Sequence, residues 1–158
     1  MNAMKICALV APIAAMFAGC TTLPECPPSS SAPSKMMLSR GSAFYDAVEY
    51  IRLEENGCVA IHDPNKRKPI YTCLQNEDWI KIRNLLDRNR ASTWKPMYNA
   101  SEIPSDGGTH IVIEFSDLSV DTYNRMDSAP KYLGIDLVYE GIRSVAMRRN
   151  QEAESAPP

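Results

Sequence analysis

Residues 109–116 alternate without a break: Thr109, Ile111, Ile113 and Phe115 fall on one side of an extended chain, His110, Val112, Glu114 and Ser116 on the other. Successive side chains of a strand point to opposite faces, so the pattern predicts a half-buried β-strand. Leu118–Tyr123 reads as its hairpin partner. Upstream, Val48–Leu53 is rich in β-branched and aromatic residues and runs into Glu55-Asn56-Gly57, which accepts positive φ and favours a hairpin. Cys58–His62 continues as a second strand, Asp63-Pro64 through Pro69 turns, and Ile70–Leu74 returns, giving a three-stranded meander. A short helix over Ser42–Tyr50, with Phe44, Val48 and Ile51 at helical spacing, competes for the first boundary.

The clearest helical period lies between these groups, over about Glu77–Arg88. Trp79, Ile82, Leu85 and Leu86 form one stripe, suited to packing on a sheet. Asn76 is the expected N-cap, Glu77 and Asp78 suit the positive end of the helix dipole, and Arg83 and Arg88 lie toward its negative end. A final helix is expected from Pro130 to about Arg149 on the stripe Leu133, Leu137, Val138, Ile142 and Val145. Gly134 and Gly141 each cost ~1 kcal/mol against alanine there, so a hairpin through Glu140-Gly141 is the alternative. The sum is an α+β domain in the order β-β-β-α-β-β-α, an antiparallel sheet of about five strands with two helices packed on one side.

Between Ala91 and Gly108 the breakers Pro96, Pro104, Asp106, Gly107 and Gly108 predict an irregular connection, long enough to suggest a role. Its Trp94, Met97 and Tyr98 are candidates for partner binding, since loop aromatics and methionines anchor interfaces; such a loop equally often folds back over the core. Residues 20–40 read as a tether, because the Pro/Ser-rich stretch Thr21–Lys35 has too few large apolar residues to pack. In extended form that stretch reaches up to ~45 Å. A single globular domain is expected over 41–149 and a disordered tail over 150–158.

The first twenty residues carry an address. Lys5 precedes an apolar run from Ile6 to Phe17, interrupted by Pro12, and the run ends in Ala18-Gly19-Cys20. The run is shorter than the ~20 residues a membrane-spanning helix needs. The segment Met16-Phe17-Ala18-Gly19-Cys20 resembles the lipobox of bacterial lipoproteins, with Phe17 where that family usually has leucine. The resemblance implies cleavage before Cys20 and acylation of that cysteine, with the lipid bilayer as the first partner. Thr21, in place of an aspartate, implies the outer membrane with the domain facing the periplasm. Two or three acyl chains at ~0.8 kcal/mol per buried methylene anchor stably where one does not. The resemblance ends there, and nothing after Lys35 resembles a known family.

The full chain has 17 basic and 19 acidic residues; losing Lys5 with the leader leaves 16 basic residues and no broad basic face, so nucleic acid is not an expected partner. Of five cysteines, Cys7 leaves with the leader and Cys20 takes lipid, leaving Cys26, Cys58 and Cys73. The hairpin centred between Asn65 and Lys66 sets Cys58 opposite Cys73 and Ile61 opposite Ile70, so a Cys58–Cys73 disulfide is expected. It would contribute ~3 kcal/mol in the chain-entropy model. Cys26 is left over, as a free thiol or an intermolecular bridge; with no CxxC pair, no metal site and no other cofactor are expected.

No GxSxG, HExxH, Walker or GxGxxG motif occurs. His110 and Glu114 lie four residues apart on one strand, ~13 Å, and are no dyad by themselves. Lys66-Arg67-Lys68 at the hairpin tip is a rigid basic feature, suited to an acidic surface or to a plain solvated turn. The expected function is a non-enzymatic protein-binding module: an inhibitor, an immunity factor or an accessory of envelope assembly, with a periplasmic protein as partner. The alternatives are an enzyme acting on envelope glycan or peptide through His62, Asp63, His110 and Glu114, and a structural lipoprotein touching peptidoglycan.

Overall fold

The computed structural model describes residues 25–42, 47–98, 107–125 and 129–155, so the lipobox, Cys20 and part of the irregular connection lie outside the described residues. Seven strands form one mixed sheet: β1 (Lys35–Ser42), β2 (Ala47–Leu53), β3 (Val59–His62), β4 (Ile70–Thr72), β5 (Met97–Tyr98), β6 (Gly107–Glu114) and β7 (Ser119–Arg125). Their spatial order is β4-β3-β2-β1-β6-β7-β5. Every pairing is antiparallel except that of β5 with β7. Two helices, α1 (Asn76–Arg88) and α2 (Ile135–Ser155), complete the α+β fold.

All five expected strands are present within a residue or two, and the expected Ile61–Ile70 register is observed. Residues 47–53 are strand, which removes the competing helix over the described part of 42–50. The β2–β3 hairpin closes as its sequence demands: Gly57 takes φ +79° and its amide donates to the Glu54 carbonyl at 2.9 Å.

The sheet differs from expectation at β1. Residues 20–40 read as a tether, yet Lys35–Ser42 is the central strand, paired with β2 on one side and β6 on the other. Its buried Met36 and Leu38 alternate with Met37 and Ser39, so the domain begins before residue 41. The Pro/Ser stretch also engages the fold: Ser34 donates its amide to Glu114 at 2.7 Å, the Ser29 hydroxyl donates to Asn76 at 2.5 Å, and Ala32 packs against the core.

One face of the sheet carries the core. Leu38, Ile51, Val59, Ile61, Ile111 and Ile113 point to it and meet Trp79, Ile82 and Leu86 of α1 and Ile135, Val138, Tyr139, Ile142 and Ala146 of α2. The N-cap of α1 is Gln75, one residue before the expected Asn76, and its amide donates to the Asp78 carboxylate at 3.1 Å. The final element is a helix rather than a hairpin, and it continues to Ser155 into the expected tail.

Gly134 lets α2 start where it does. Its φ is +70°, and a Cβ there would collide with the Asn89 side chain, which caps α1 by donating to the Leu85 carbonyl at 2.8 Å. Gly134→Ala is expected to cost about 2–3 kcal/mol, combining left-handed strain with disruption of the α1 terminus. Urea unfolding checks this against Gly107→Ala, whose Cβ would meet nothing among the described residues nearer than the Gly41 carbonyl at 3.8 Å and which should be near neutral.

Candidate functional site

With both helices on one face, the other face of the sheet is turned outward, and register assigns its side chains to rows across the strands. One row runs Tyr123 (β7), His110 (β6), Ser39 (β1), Tyr50 (β2) and His62 (β3). The next runs Asp121, Val112, Met37, Arg52, Ala60 and Tyr71. Tyr50 is 43 % and Met37 37 % exposed, unusual for side chains of that size and apolarity in internal strands. Together with His62, Pro69 and Tyr71 they border a groove of about 370 Å³.

The rows are ordered by ring contacts. His110 meets Tyr123 edge-to-face with centroids 5.9 Å apart, and its Nε2 lies 3.0 Å from Asp121 Oδ1. Tyr50 and His62 are tilted at 6.4 Å. Lys35 pairs with Glu114 at 3.6 Å at the edge of the rows, while Arg52, between Met37 and Ala60 in the second row, enters the groove wall and pairs with Glu54 at 2.7 Å. The result is an amphipathic surface in which aromatic and apolar side chains surround a paired arginine.

Sequence reasoning had passed over Met37, Tyr50, Tyr71 and Tyr123. A signal existed, because Tyr50 precedes the buried Ile51 and Tyr71 lies between Ile70 and Thr72, so alternation alone sends both tyrosines outward. What alternation does not supply is which strands are neighbours.

The histidine–carboxylate group of the enzymatic alternative does not converge. His62 and His110 share a row but stand three strand spacings apart, ~14 Å. Asp63 instead closes the turn after β3: its Oδ1 accepts from the Asn65 amide at 2.9 Å, the largest reason its carboxyl lies below the ordinary range. That turn presents Lys66, Arg67 and Lys68, all exposed, as the expected basic tip.

Of the three loop candidates, Trp94 lies in the core, its indole donating to the Asn89 carbonyl at 3.2 Å, so the fold-back reading holds for that residue. Tyr98 is half-buried and accepts a hydrogen bond from the Lys95 amide at 2.8 Å, while Met97 is 56 % exposed. Both lie in edge strand β5 rather than in a loop.

A polar network on the helical face joins α2 to the sheet. Glu49 accepts from the Tyr139 hydroxyl at 2.7 Å and from Arg143 Nε at 2.7 and 3.0 Å. Burial, then the Glu49 hydrogen bond, raises the Tyr139 hydroxyl pKa far above its ordinary value, so it serves as a fixed donor. Arg40 covers the Tyr139 ring at 5.4 Å and pairs with Glu140 at 2.5 Å, and Asp136 accepts from Thr109 at 3.0 Å. Each of these carboxylates is engaged by a cation or a hydroxyl, the arrangement of a clasp.

The cysteines depart most from expectation. Cys58 and Cys73 do face each other, but their sulfurs are 4.0 Å apart, and Cys26 lies within disulfide reach of both, its Cα 5.4 Å from that of Cys58 and 5.2 Å from that of Cys73. Cys26, expected to be left over, is the centre of a three-sulfur cluster spanning no more than 4.8 Å. No family model, curated protein or solved structure matches the chain. Among the described residues no helix is long and apolar enough to cross a membrane.

Proposed function

We propose that the chain is a lipoprotein, acylated at Cys20 and held at the periplasmic face of the outer membrane, that binds another envelope protein through the open face of its sheet without catalysing a reaction. The lipobox resemblance at residues 16–20 supports the anchor. The carrying observation for binding is the outward-facing group of Met37, Tyr50, Tyr71 and Arg52 that walls the groove, with Met37 and Tyr50 exposed and Tyr71 half-buried. Interfaces use this composition because tyrosine buries much apolar area at low entropic cost and methionine adapts its shape to a partner. Arg52 and His62 are the polar members of the groove wall, and Arg52 is held by Glu54; the alternatives of glycan hydrolysis and of a purely structural linker lack a comparable observation.

A photoreactive side chain placed at Tyr50 or Tyr71 of the full chain in living cells should trap one saturable protein adduct. The same probe at Ile80, exposed on α1 at the opposite layer, should trap none. Adducts that are equal at all three positions, or absent from all, would overturn the binding reading. Membrane fractionation tests the anchor separately: Cys20→Ala should release the protein from membranes, and blocking the lipoprotein signal peptidase should accumulate its precursor.

A further inference from the structure

The turn between β3 and β4 sets three cations at one end of the groove. His62 ends β3, Pro69 precedes β4, both line the groove, and Lys66, Arg67 and Lys68 lie exposed between them. The turn is fixed from within: the Asp63 carbonyl accepts from the Lys66 amide at 2.9 Å, and Asp63 Oδ1 accepts from the Asn65 amide at 2.9 Å and from the Asn65 side chain at 3.1 Å. The chain as a whole has a formal charge of −2, and Arg40, Arg52, Arg83, Arg143 and Arg149 are each paired with a carboxylate. The three cations of the turn have no carboxylate within ion-pair distance among the described residues; Lys66 acts on Asp63 only from longer range.

We propose that the groove and the turn form one docking surface for an acidic segment of a partner protein. An aromatic or aliphatic side chain of that segment seats between Met37, Tyr50 and Tyr71, and its flanking carboxylates meet Lys66, Arg67 and Lys68. This docking mode rests on the binding reading above and gives its partner a chemistry. At about 370 Å³ the groove lies at the low end of the range of about 300–1,000 Å³ for small-ligand sites, which suits one or two side chains rather than a helix face. Arg52 is already held by Glu54, so it closes the wall and leaves the turn to receive the partner's charge. Burial of the anchoring side chain holds the segment, while complementary charge speeds encounter and fixes register.

A protein segment fits this surface better than a bilayer does. Cys26, a few residues after the proposed lipid site, lies beside Cys58 and Cys73, at the end of the hairpin away from the turn. From Cys58 to Lys66 the extended chain covers up to ~26 Å, so the cations stand far from the point where the anchored segment enters the fold. Water screens each exposed contact, so the three cations together should give a preference of about tenfold that salt erodes.

The test titrates the full chain, in neutral detergent micelles, with two fluorescein-labelled peptides of equal length, one repeating Glu-Trp-Glu and one repeating Lys-Trp-Lys, read by anisotropy. The acidic peptide should bind about tenfold more tightly at ~0.05 M salt, and the preference should fall below about threefold at ~0.5 M. Reversing the turn charges with Lys66→Glu, Arg67→Glu and Lys68→Glu should abolish the preference while leaving the urea midpoint unchanged, because all three side chains are exposed. Tyr71→Ala should weaken the acidic peptide by about threefold or more, as should alanine in place of the peptide's tryptophans. Equal affinity for the two peptides, a preference that survives charge reversal, or binding indifferent to both Tyr71 and tryptophan would overturn the proposal. Phosphatidylglycerol vesicles that capture the Cys20→Ala chain through the same three cations would also overturn it and assign the turn to lipid. Photoadducts at Tyr50 and Tyr71 that persist in the charge-reversed chain would leave the binding reading standing and overturn only the acidic partner, so the two failures are distinct.

Discussion

Replacing Trp79 by alanine is expected to destabilise the domain by about 3–5 kcal/mol, the range for deleting a large buried aromatic. Trp79 is the largest of the fully buried side chains and lies on the α1 stripe that seals the sheet. It also borders the segment Ser29–Ser34, so its loss opens a void on two sides and removes the surface on which that segment rests. Collapse around the void is limited because the sheet beneath is held by strand pairs on either side of β1. Against a total stability of about 5–15 kcal/mol for a domain, the loss is a large fraction. With a denaturant slope of about 2 kcal/mol per M, the urea midpoint should fall by about 2 M. The adjacent Ile80→Ala is the matched control: Ile80 is 51 % exposed, and a change within ~0.5 kcal/mol is expected. Equal midpoints for the two variants would mean that α1 does not pack on the sheet through the face described.

That stripe was legible because α1 is local: its period, its acidic first turn and its capping partner all lie within fifteen residues. Strand β1 was not legible, for a physical reason. A central strand is specified by partners, and its partners β2 and β6 are separated from each other by α1 and half the domain. Its short apolar alternation, Met36 and Leu38, follows a Pro/Ser run whose composition predicts a solvated chain. The glycine of α2 misled in the opposite direction. Gly141 reads as a helix breaker, yet a Cβ there would collide with Leu85 Cδ2, so glycine serves the close approach of the two helices. The binding face was visible one strand at a time and invisible as a surface, because rows such as His110, Ser39, Tyr50 and His62 exist only once strand order is known. Similarly, hairpin register set Cys58 against Cys73, while nothing local announced that Cys26, more than thirty residues upstream of Cys58, would enter between them.

Asp78 joins these local and distant determinants, and its removal is the other large effect expected. It is fully buried at the start of α1, where one oxygen accepts from the Gln75 amide at 3.1 Å and from Arg149 Nε at 2.5 Å, and the other from Arg148 at 3.2 Å. One carboxylate thus caps one helix and fastens the last turns of the other. Burial by itself raises its pKa, but the Arg149 hydrogen bond, the Gln75 amide and the charges of Arg149 and Lys81 outweigh burial and hold it below the ordinary carboxylate range. A depressed folded-state pKa means stability that is fully present above the unfolded value of about 3.9 and is lost as pH falls through the lower folded value. Asp78→Asn keeps the volume and discards the charge, so at neutral pH it should cost about 2–3 kcal/mol, the scale of hydrogen bonds to a charged group. Exposed pairs such as Arg83–Asp117 contribute far less, since water screens them. The distinguishing readout is the pH profile: the gap between wild type and Asp78→Asn should be constant from pH 7 to about 5 and close below pH 4. Hydrogen exchange should show where the loss falls, with protection reduced first in the α2 residues after Ala146, the part of that helix that Asp78 ties down. A gap that stayed constant into acid would assign the destabilisation to lost shape at the helix start rather than to charge.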